Sequence, residues 1–267
     1  MKNQIEQLWQ QTEFTEQQKL TAINTIMQVL NLLDQGQLRV AEKINNSWQT
    51  NEWIKKAILL AFKLFNNNIG INSYDKIPLK FTNWQQEDFF NAKIRVVPGT
   101  TIRLGAYLAK NTILMPCFIN TGAFIDEGTL IDSGAAIGSC AQIGKRCHIA
   151  SNAAIGGVLE PLQNNPITIE DDCFIGVGSI LAEGTIVEQG AVISMGVSIG
   201  GSTKIINRAT NQIFYGKVPA YSVVIPGSYT APNSSIAINC AVIVKTVDAK
   251  TRSKTGINEL LREYASA

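Results

Sequence analysis

The chain has 267 residues, of which 45% are apolar and 16% charged, and its formal net charge is +2. This near balance gives no overall field to recruit nucleic acid or a membrane surface, and no run approaches the about 18 apolar residues of a membrane span. The N-terminus lacks the apolar core of a signal peptide, and none of the five cysteines forms a CxxC pair. The sequence therefore predicts a cytoplasmic protein with reduced thiols.

The first 98 residues are predicted to form a mostly helical N-terminal domain. Apolar residues recur at helical spacing between Leu20 and Leu33, and the Gly36 that follows is a stop signal for a helix. Residues 53–65 are apolar on most of a helical circumference, which indicates a helix packed under other structure. Residues 74–81 are predicted to form a strand.

An aliphatic residue returns at every sixth position over most of the second half of the chain. These positions are Ile113, Ile119, Ile125, Ile131, Ile137, Ile143, Ile149, Ile155, Ile169, Ile175, Leu181, Val187, Ile193, Ile199 and Ile205. Six is the spacing of hexapeptide β-helix repeats, in which each repeat contributes one short strand and one turn. The sequence thus predicts a mainly β protein whose residues 99–206 form a parallel β-helix, a triangular prism with the aliphatic side chains inside. The spacing alone leaves the hand of the coil open.

Two segments depart from the repeat. The register jumps by fourteen residues between Ile155 and Ile169, which leaves residues 157–167 as an inserted loop. A polar loop in a regular stack commonly has a function, and the alternative is a harmless excursion. Residues 207–267 are predicted to form a C-terminal extension, with a strand over 240–247 that caps the coil and a short terminal helix.

Segments along nearly the whole chain match those of one known family. They include RVAEKI (39–44), RVVP (95–98), GAFIDEGTLID (122–132), IGGVLEPLQ (155–163) and CAVIVKTVDAKTR (240–252). In these segments the chain resembles tetrahydrodipicolinate N-succinyltransferase, the acyltransferase of the succinylated branch of diaminopimelate and lysine synthesis. The resemblance implies a left-handed β-helix and a homotrimer with active sites between subunits. It also implies a small dicarboxylate substrate and a coenzyme A thioester, succinyl-CoA or acetyl-CoA, as co-substrate.

The resemblance assigns the candidate catalytic and substrate-binding residues. Asp132 matches the family's catalytic Asp, but Ile180 stands where the family has a catalytic Glu, and Gly178 stands where it has an Arg. We expect Asp132 to act as a base whose pKa is raised by burial in a groove. The alternative is a turn carboxylate that binds nearby amides. Arg95, Asp132, Ser133 and Ile180 are expected to contact the substrate, and for Arg95 the alternative is an ion pair at the domain boundary.

The coenzyme A side of the site is predicted from glycines and basic residues. Gly176, Gly178 and Gly196 would let the pantetheine arm approach the backbone closely. Lys217, Lys250, Arg252 and Lys254 suit phosphate groups, and the alternative is solvated surface charge. The single histidine, His148, is interpreted as a structural or surface residue. No group of His and Cys has the spacing of a metal site, so no metal is expected.

The repeat places Asp132 and Ile180 on different faces of the prism. Each lies beside an inward aliphatic residue and therefore points outward, and seven hexapeptide steps separate Ile131 from Leu181. The two side chains are expected to meet only between neighbouring subunits. Because Ile180 and Gly178 replace two charged residues, we expect a less polar acyl donor at this point, which favours acetyl-CoA. Two alternatives are an acyltransferase of a specialised pathway, such as tabtoxin-like β-lactam synthesis, and a catalytically inactive trimer that binds coenzyme A.

Overall fold

The computed structural model describes residues 1–70 and 73–249. Its helices are α1 (Lys2–Gln10), α2 (Glu16–Asp34), α3 (Glu52–Leu64) and α4 (Gln86–Ala92), and its N-terminal hairpins are β1 (Ala41–Ile44) with β2 (Ser47–Thr50) and β3 (Asn68–Gly70) with β4 (Ser73–Asp75). Helix α2 begins after Thr15, whose hydroxyl accepts the Gln18 amide while the Gln18 side chain accepts the Thr15 amide. Helices α2 and α3 coincide with the two predicted helical segments. None of the helices in the described ranges is long and apolar enough to cross a membrane.

The N-terminal helices share one apolar core that continues onto the β region. Ile26, Leu30 and Ile58 are fully buried in it, and Cys140 from the repeat region belongs to the same cluster. The strand predicted over 74–81 is wrong beyond Asp75. Residues 76–81 instead run onto the coil, where the Leu104 amide donates to the carbonyl of Pro78 at 2.8 Å. The N-terminal domain is therefore packed directly on the coil.

The hexapeptide region forms a stack of two-residue strands. They are β5 (Arg95–Val96), β6 (Thr101–Ile102), β7 (Tyr107–Leu108), β8 (Ile113–Leu114), β9 (Phe118–Ile119), β10 (Phe124–Ile125), β11 (Leu130–Ile131), β12 (Ala136–Ile137), β13 (Gln142–Ile143), β14 (His148–Ile149), β15 (Ala154–Ile155), β16 (Thr168–Ile169), β17 (Phe174–Ile175), β18 (Ile180–Leu181), β19 (Ile186–Val187), β20 (Val192–Ile193) and β21 (Ser198–Ile199). From β5 to β18, each strand pairs in parallel with the third strand further on, as β11 does with β14. Three strands therefore complete one turn, and the predicted β-helix is confirmed.

The stack has three faces, each a parallel sheet in this region. Sheet A contains β7, β10, β13, β16 and β19; sheet B contains β5, β8, β11, β14, β17 and β20; sheet C contains β6, β9, β12, β15, β18 and β21. The second residue of each strand points into the prism, so that Ile131, Ile149 and Ile175 lie one above another with no exposed surface. From Ile119 onward the inward positions follow the six-residue period. The prediction is wrong for Ile113, which is the outward residue of β8, because only five residues separate the inward Leu114 from Ile119.

The C-terminal strands extend two of these sheets. They are β22 (Ile205–Asn207), β23 (Ile213–Phe214), β24 (Lys217–Val218), β25 (Ser222–Thr230) and β26 (Ala237–Thr246). β24 adds to sheet A, and β25 continues sheet B and pairs antiparallel with β26. Ala241 and Ile243 of β26 enter the core of the coil, so the strand predicted over 240–247 is present and covers that core. The predicted terminal helix lies largely outside the described residues.

The inserted loop is held against the N-terminal domain. The fully buried Lys55 of α3 donates from Nζ to the carbonyls of Leu162, at 3.2 Å, and Asn164. Thr50 Oγ1 donates to Asn165 Oδ1 at 2.9 Å. Burial lowers the pKa of Lys55 because few charges near it compensate for lost water. The loop 157–167 is therefore docked on α3 in this chain.

Substitution of an inward aliphatic residue tests the role of the stack in stability. Ile149→Ala is expected to lower the free energy of unfolding by about 2–5 kcal/mol, because it leaves a cavity in a filled core. Ile69→Ala is the matched control: Ile69 is 89% exposed, and its loss should change stability by no more than about 0.5 kcal/mol. Urea titration followed by circular dichroism measures both. Equal effects of the two substitutions would contradict the assignment of the core.

Candidate active site

Asp132 lies at the corner that follows β11, between sheets B and C. Its Oδ1 accepts the backbone amide of Ser133 at 2.7 Å, and its side chain is 30% exposed. This hydrogen bond lowers the pKa of Asp132, and the effect outweighs burial, which acts in the opposite direction. The expected rise in the pKa of Asp132 is therefore wrong for this chain. The carboxylate is well suited to hold a positive charge or a proton donor, and Ser133 contributes its backbone amide to this arrangement.

His148 lies beside Asp132, which the sequence interpretation of a surface or structural histidine missed. It belongs to β14, the strand next to β11, and its Nε2 is 3.7 Å from Asp132 Oδ2. The ring packs edge-on against Phe174 at 5.2 Å, and Nε2 is buried without a hydrogen-bond partner in the described part of the chain. Sixteen residues separate Asp132 from His148, close to the eighteen of one full turn. That count was the signal that could have placed the two side by side.

Ile180 lies on sheet C, and Asp132 lies at the corner just before the strands of that sheet rather than on the separate face that the repeat predicted for it. It points outward and is 49% exposed. Two more exposed apolar side chains, Val177 and Met195, are stacked at the corner that leads into sheet C, where the Gly196 amide donates to the Val177 carbonyl at 3.0 Å. Ile180, Val177 and Met195 are hereafter called the apolar ridge.

The three glycines predicted to contact pantetheine differ in their surroundings. Gly178 and Gly196 have left-handed backbone conformations, with φ of +65° and +70°, and an added Cβ would meet nothing within 4 Å. Their surfaces are therefore open to a ligand. Gly176 is buried, and a Cβ there would come within 2.5 Å of the Met195 amide nitrogen of the next turn. Close packing between successive turns of the coil explains why residue 176 is a glycine. Gly176 therefore does not offer the open surface that the sequence predicted.

The two predicted basic residues within the described part of the chain, Arg95 and Lys217, lie on different sheets. Arg95 lies on sheet B, the sheet that carries β11, and it is exposed. The ion pair offered as its alternative role is absent among residues 1–70 and 73–249. Lys217 lies on sheet A and pairs with Glu188 at 2.7 Å, so its charge is already compensated. Lys250, Arg252 and Lys254 lie outside the described residues, and their predicted role stays a prediction.

The cysteines and acidic residues give no sign of a metal centre. All five cysteines are free and buried. Within the described ranges, no three residues among His, Cys, Asp and Glu lie close enough together to hold an ion.

The parallel coil and its six-residue period define a transferase of the hexapeptide-repeat class. A family model for the hexapeptide repeat of succinyl-transferase matches residues 166–200, and one for the N-terminal part of tetrahydrodipicolinate N-succinyltransferase matches residues 1–64. The chain belongs to the tetrahydrodipicolinate N-succinyltransferase family, as relatives along nearly its whole length show.

Relatives named 2,3,4,5-tetrahydropyridine-2,6-dicarboxylate N-succinyltransferase match most of the chain. The protein of Legionella pneumophila strain Corby is 57% identical over 90% of this chain and 88% of its own length. That of Blochmanniella pennsylvanica is 51% identical over 97% of both chains. A crystal structure from Campylobacter jejuni, of a protein assigned as a 2,3,4,5-tetrahydropyridine-2-carboxylate N-succinyltransferase, has a TM-score of 0.56 at 17% identity. It covers 82% of this chain and 62% of that one, and it supports the fold.

Proposed function

We propose that the protein transfers the succinyl group of succinyl-CoA to the nitrogen of tetrahydrodipicolinate, in the cytoplasmic synthesis of diaminopimelate and lysine. The observation that carries this proposal is the identity of 51–57% to relatives named for that reaction. The retained Asp132, the open surfaces at Gly178 and Gly196, and the free buried cysteines, typical of a reducing compartment, support it. None of the relatives named above is described as an enzyme of a tabtoxin-like pathway.

The transfer needs a nitrogen freed of its proton next to a positioned thioester. The ring nitrogen of a tetrahydropyridine is an imine nitrogen without a proton, so water first adds across the C=N bond, its hydroxyl to carbon and its proton to nitrogen. The lone pair of the resulting amine attacks the thioester carbonyl, a C–N bond forms and the C–S bond breaks. The nitrogen then loses its proton, and the leaving sulfur takes one up. We propose that Asp132 and His148 together accept the proton that the nitrogen loses. The lowered pKa of Asp132 keeps its carboxylate ionised, and that charge stabilises an imidazole that accepts a proton.

We also infer a homotrimer of left-handed coils with active sites between subunits. The apolar ridge is a surface that a neighbouring coil would cover, because exposed apolar side chains grouped in this way mark interaction sites. Asp132 lies at the corner between sheets B and C and Ile180 lies on sheet C, so a groove along this edge of the coil can be closed by a second chain. Arg95 is then available for a substrate carboxylate, and Gly178 and Gly196 for the pantetheine arm.

The second candidate is transfer of an acetyl group by the same site. It is favoured by Ile180 and Gly178, since an exposed apolar side chain and an open glycine stand where the family has a Glu and an Arg. The free carboxylate of a succinyl group gains from a cation, whereas an acetyl group does not need one.

A thiol-release assay with tetrahydrodipicolinate and either succinyl-CoA or acetyl-CoA separates these candidates. We expect turnover with succinyl-CoA to exceed that with acetyl-CoA by about tenfold or more, the ratio that 1.4 kcal/mol of differential binding produces. A reversed preference would support the acetyl candidate. Release of no thiol with either donor, from a protein that still binds coenzyme A, would instead indicate a catalytically inactive trimer.

A further inference from the structure

A cleft lies between the β1–β2 hairpin and the corners that follow the strands of sheet A. Its volume is about 290 Å³. It is lined by Arg39, Lys43, Trp48, Asp126, Gly144, Lys145, Ile169, Glu170, Asp171 and Gln189. None of the residues assigned to acyl transfer is among them, so the cleft is separate from the candidate active site.

Arg39 is held in one orientation at this cleft. Its Nε donates to Gln142 Oε1 at 2.7 Å, and the fully buried Gln142 is itself fixed by donation from Nε2 to the Cys140 carbonyl at 2.8 Å. The guanidinium carbon lies 3.8 Å from the centre of the Phe124 ring. Asn51 holds the backbone by donating to the Arg39 carbonyl at 2.9 Å. A guanidinium fixed on an aromatic face presents its remaining N–H groups as a rigid fork.

The fork has no anion within the described part of the chain. No carboxylate there lies within 4 Å of Arg39, and the ammonium group of Lys145 likewise forms no ion pair there. Burial lowers the pKa of Arg39, because the guanidinium has lost water while the nearest carboxylates compensate only from a distance. A partly dehydrated cation without a partner gains from binding a carboxylate.

Two carboxylates in the cleft are also without an ion pair in residues 1–70 and 73–249. Asp126 accepts the Glu127 amide at 2.7 Å, and Asp171 accepts the Lys145 amide at 2.9 Å. Glu170 differs, since Lys43 pairs with it at 2.6 Å. The cleft thus offers both signs of uncompensated charge. A lone phosphate would be repelled by the carboxylates, whereas a molecule with both a carboxylate and an ammonium group matches the lining.

We propose that this cleft binds a free α-amino acid. The α-carboxylate lies on the fork of Arg39 and near Lys145, and the α-ammonium group faces Asp126 and Asp171. The volume is at the lower end of the range for ligand sites, which suits a small metabolite. This proposal does not depend on the proposed acyl transfer.

Titration calorimetry with each of the common L-amino acids as the probe tests the proposal on the full chain. At least one should bind, and Arg39→Gln should weaken its binding by about tenfold or more, because a charge-assisted hydrogen bond is lost. Arg39→Lys should also weaken binding, since Lys lacks the fork. Arg146→Gln is the matched control: Arg146 already pairs with Asp172 at 2.7 Å and does not line the cleft, so affinity should not change.

A second substitution tests the proposal without removing the contacts through which Arg39 supports the fold. Asp126→Asn retains an oxygen that can accept the Glu127 amide but removes the charge that would face the ammonium group, so it should weaken binding without lowering the melting temperature. The proposal is overturned if no amino acid binds the wild type, or if inorganic phosphate binds in their place. It is also overturned if Asp126→Asn and Arg39→Lys bind as tightly as the wild type.

Discussion

Asp132→Asn is expected to lower kcat by about 10²-fold or more, the usual contribution of a positioned proton-transfer group. The substitution removes the negative charge beside His148 while keeping the shape of the side chain. An asparagine oxygen can still accept the Ser133 amide that Asp132 Oδ1 accepts at 2.7 Å, so the corner after β11 should persist. A lower kcat would therefore reflect the loss of proton transfer and not a change in structure. Initial rates of thiol release at saturating substrates measure it.

The melting temperature of Asp132→Asn is the control, and it should match the wild type. Asp132→Ala, which also removes the hydrogen bond, should lose as much activity and some stability. Full activity in Asp132→Asn would mean that Asp132 is only a turn carboxylate, the alternative that its sequence environment also suits.

The pH dependence of kcat distinguishes the role of Asp132 from that of His148. The pKa of Asp132 is lowered in the folded chain, so its carboxylate is ionised throughout a range of about pH 5–9. Protonation of Asp132 therefore cannot produce a fall in kcat on the acid side of neutrality. We expect any such fall in the wild type to be absent from the residual activity of His148→Gln, because that substitution removes the side chain that we assign to proton transfer beside Asp132. An acid limb unchanged in His148→Gln would assign it to another group.

The six-residue period predicted the coil in detail because it identifies each inward position separately. Ile131 and Ile149 are one turn apart in sequence and neighbours in the structure, so a single pattern gives strand, register and core at once. The same count predicted that Ile180 points outward, but it did not predict that Asp132 lies at the corner before sheet C. A repeat encodes its own packing, since each unit contacts only the next.

Contacts made outside the repeat could not be predicted from the six-residue spacing. Lys55 is a charged residue in a mostly apolar helix, yet it is fully buried and donates to carbonyls of a loop about a hundred residues later in the chain. The pKa of Asp132 depends on the direction of one backbone amide at a corner, which spacing does not specify. The position of His148 beside Asp132 was predictable from the length of one turn. The resemblance to a family that uses two carboxylates instead indicated Asp132 and the position of Ile180.

A mixture of two inactive variants is expected to recover about one quarter of wild-type activity. One is Asp132→Asn on the corner beside sheet B, and the other is Ile180→Arg on sheet C, where an exposed position tolerates a charge without unfolding the coil. If each site takes Asp132 from one chain and Ile180 from its neighbour, random assembly gives one site in four both intact residues, about 25%. Co-expression of the two variants in equal amounts and the thiol-release assay on the whole population of oligomers provide the measurement, and trimers purified through two different tags, which all contain both variants, should instead recover about one third. Mixed oligomers with no more activity than either parent would place both residues of a site in one chain, and an active Ile180→Arg would remove Ile180 from the groove.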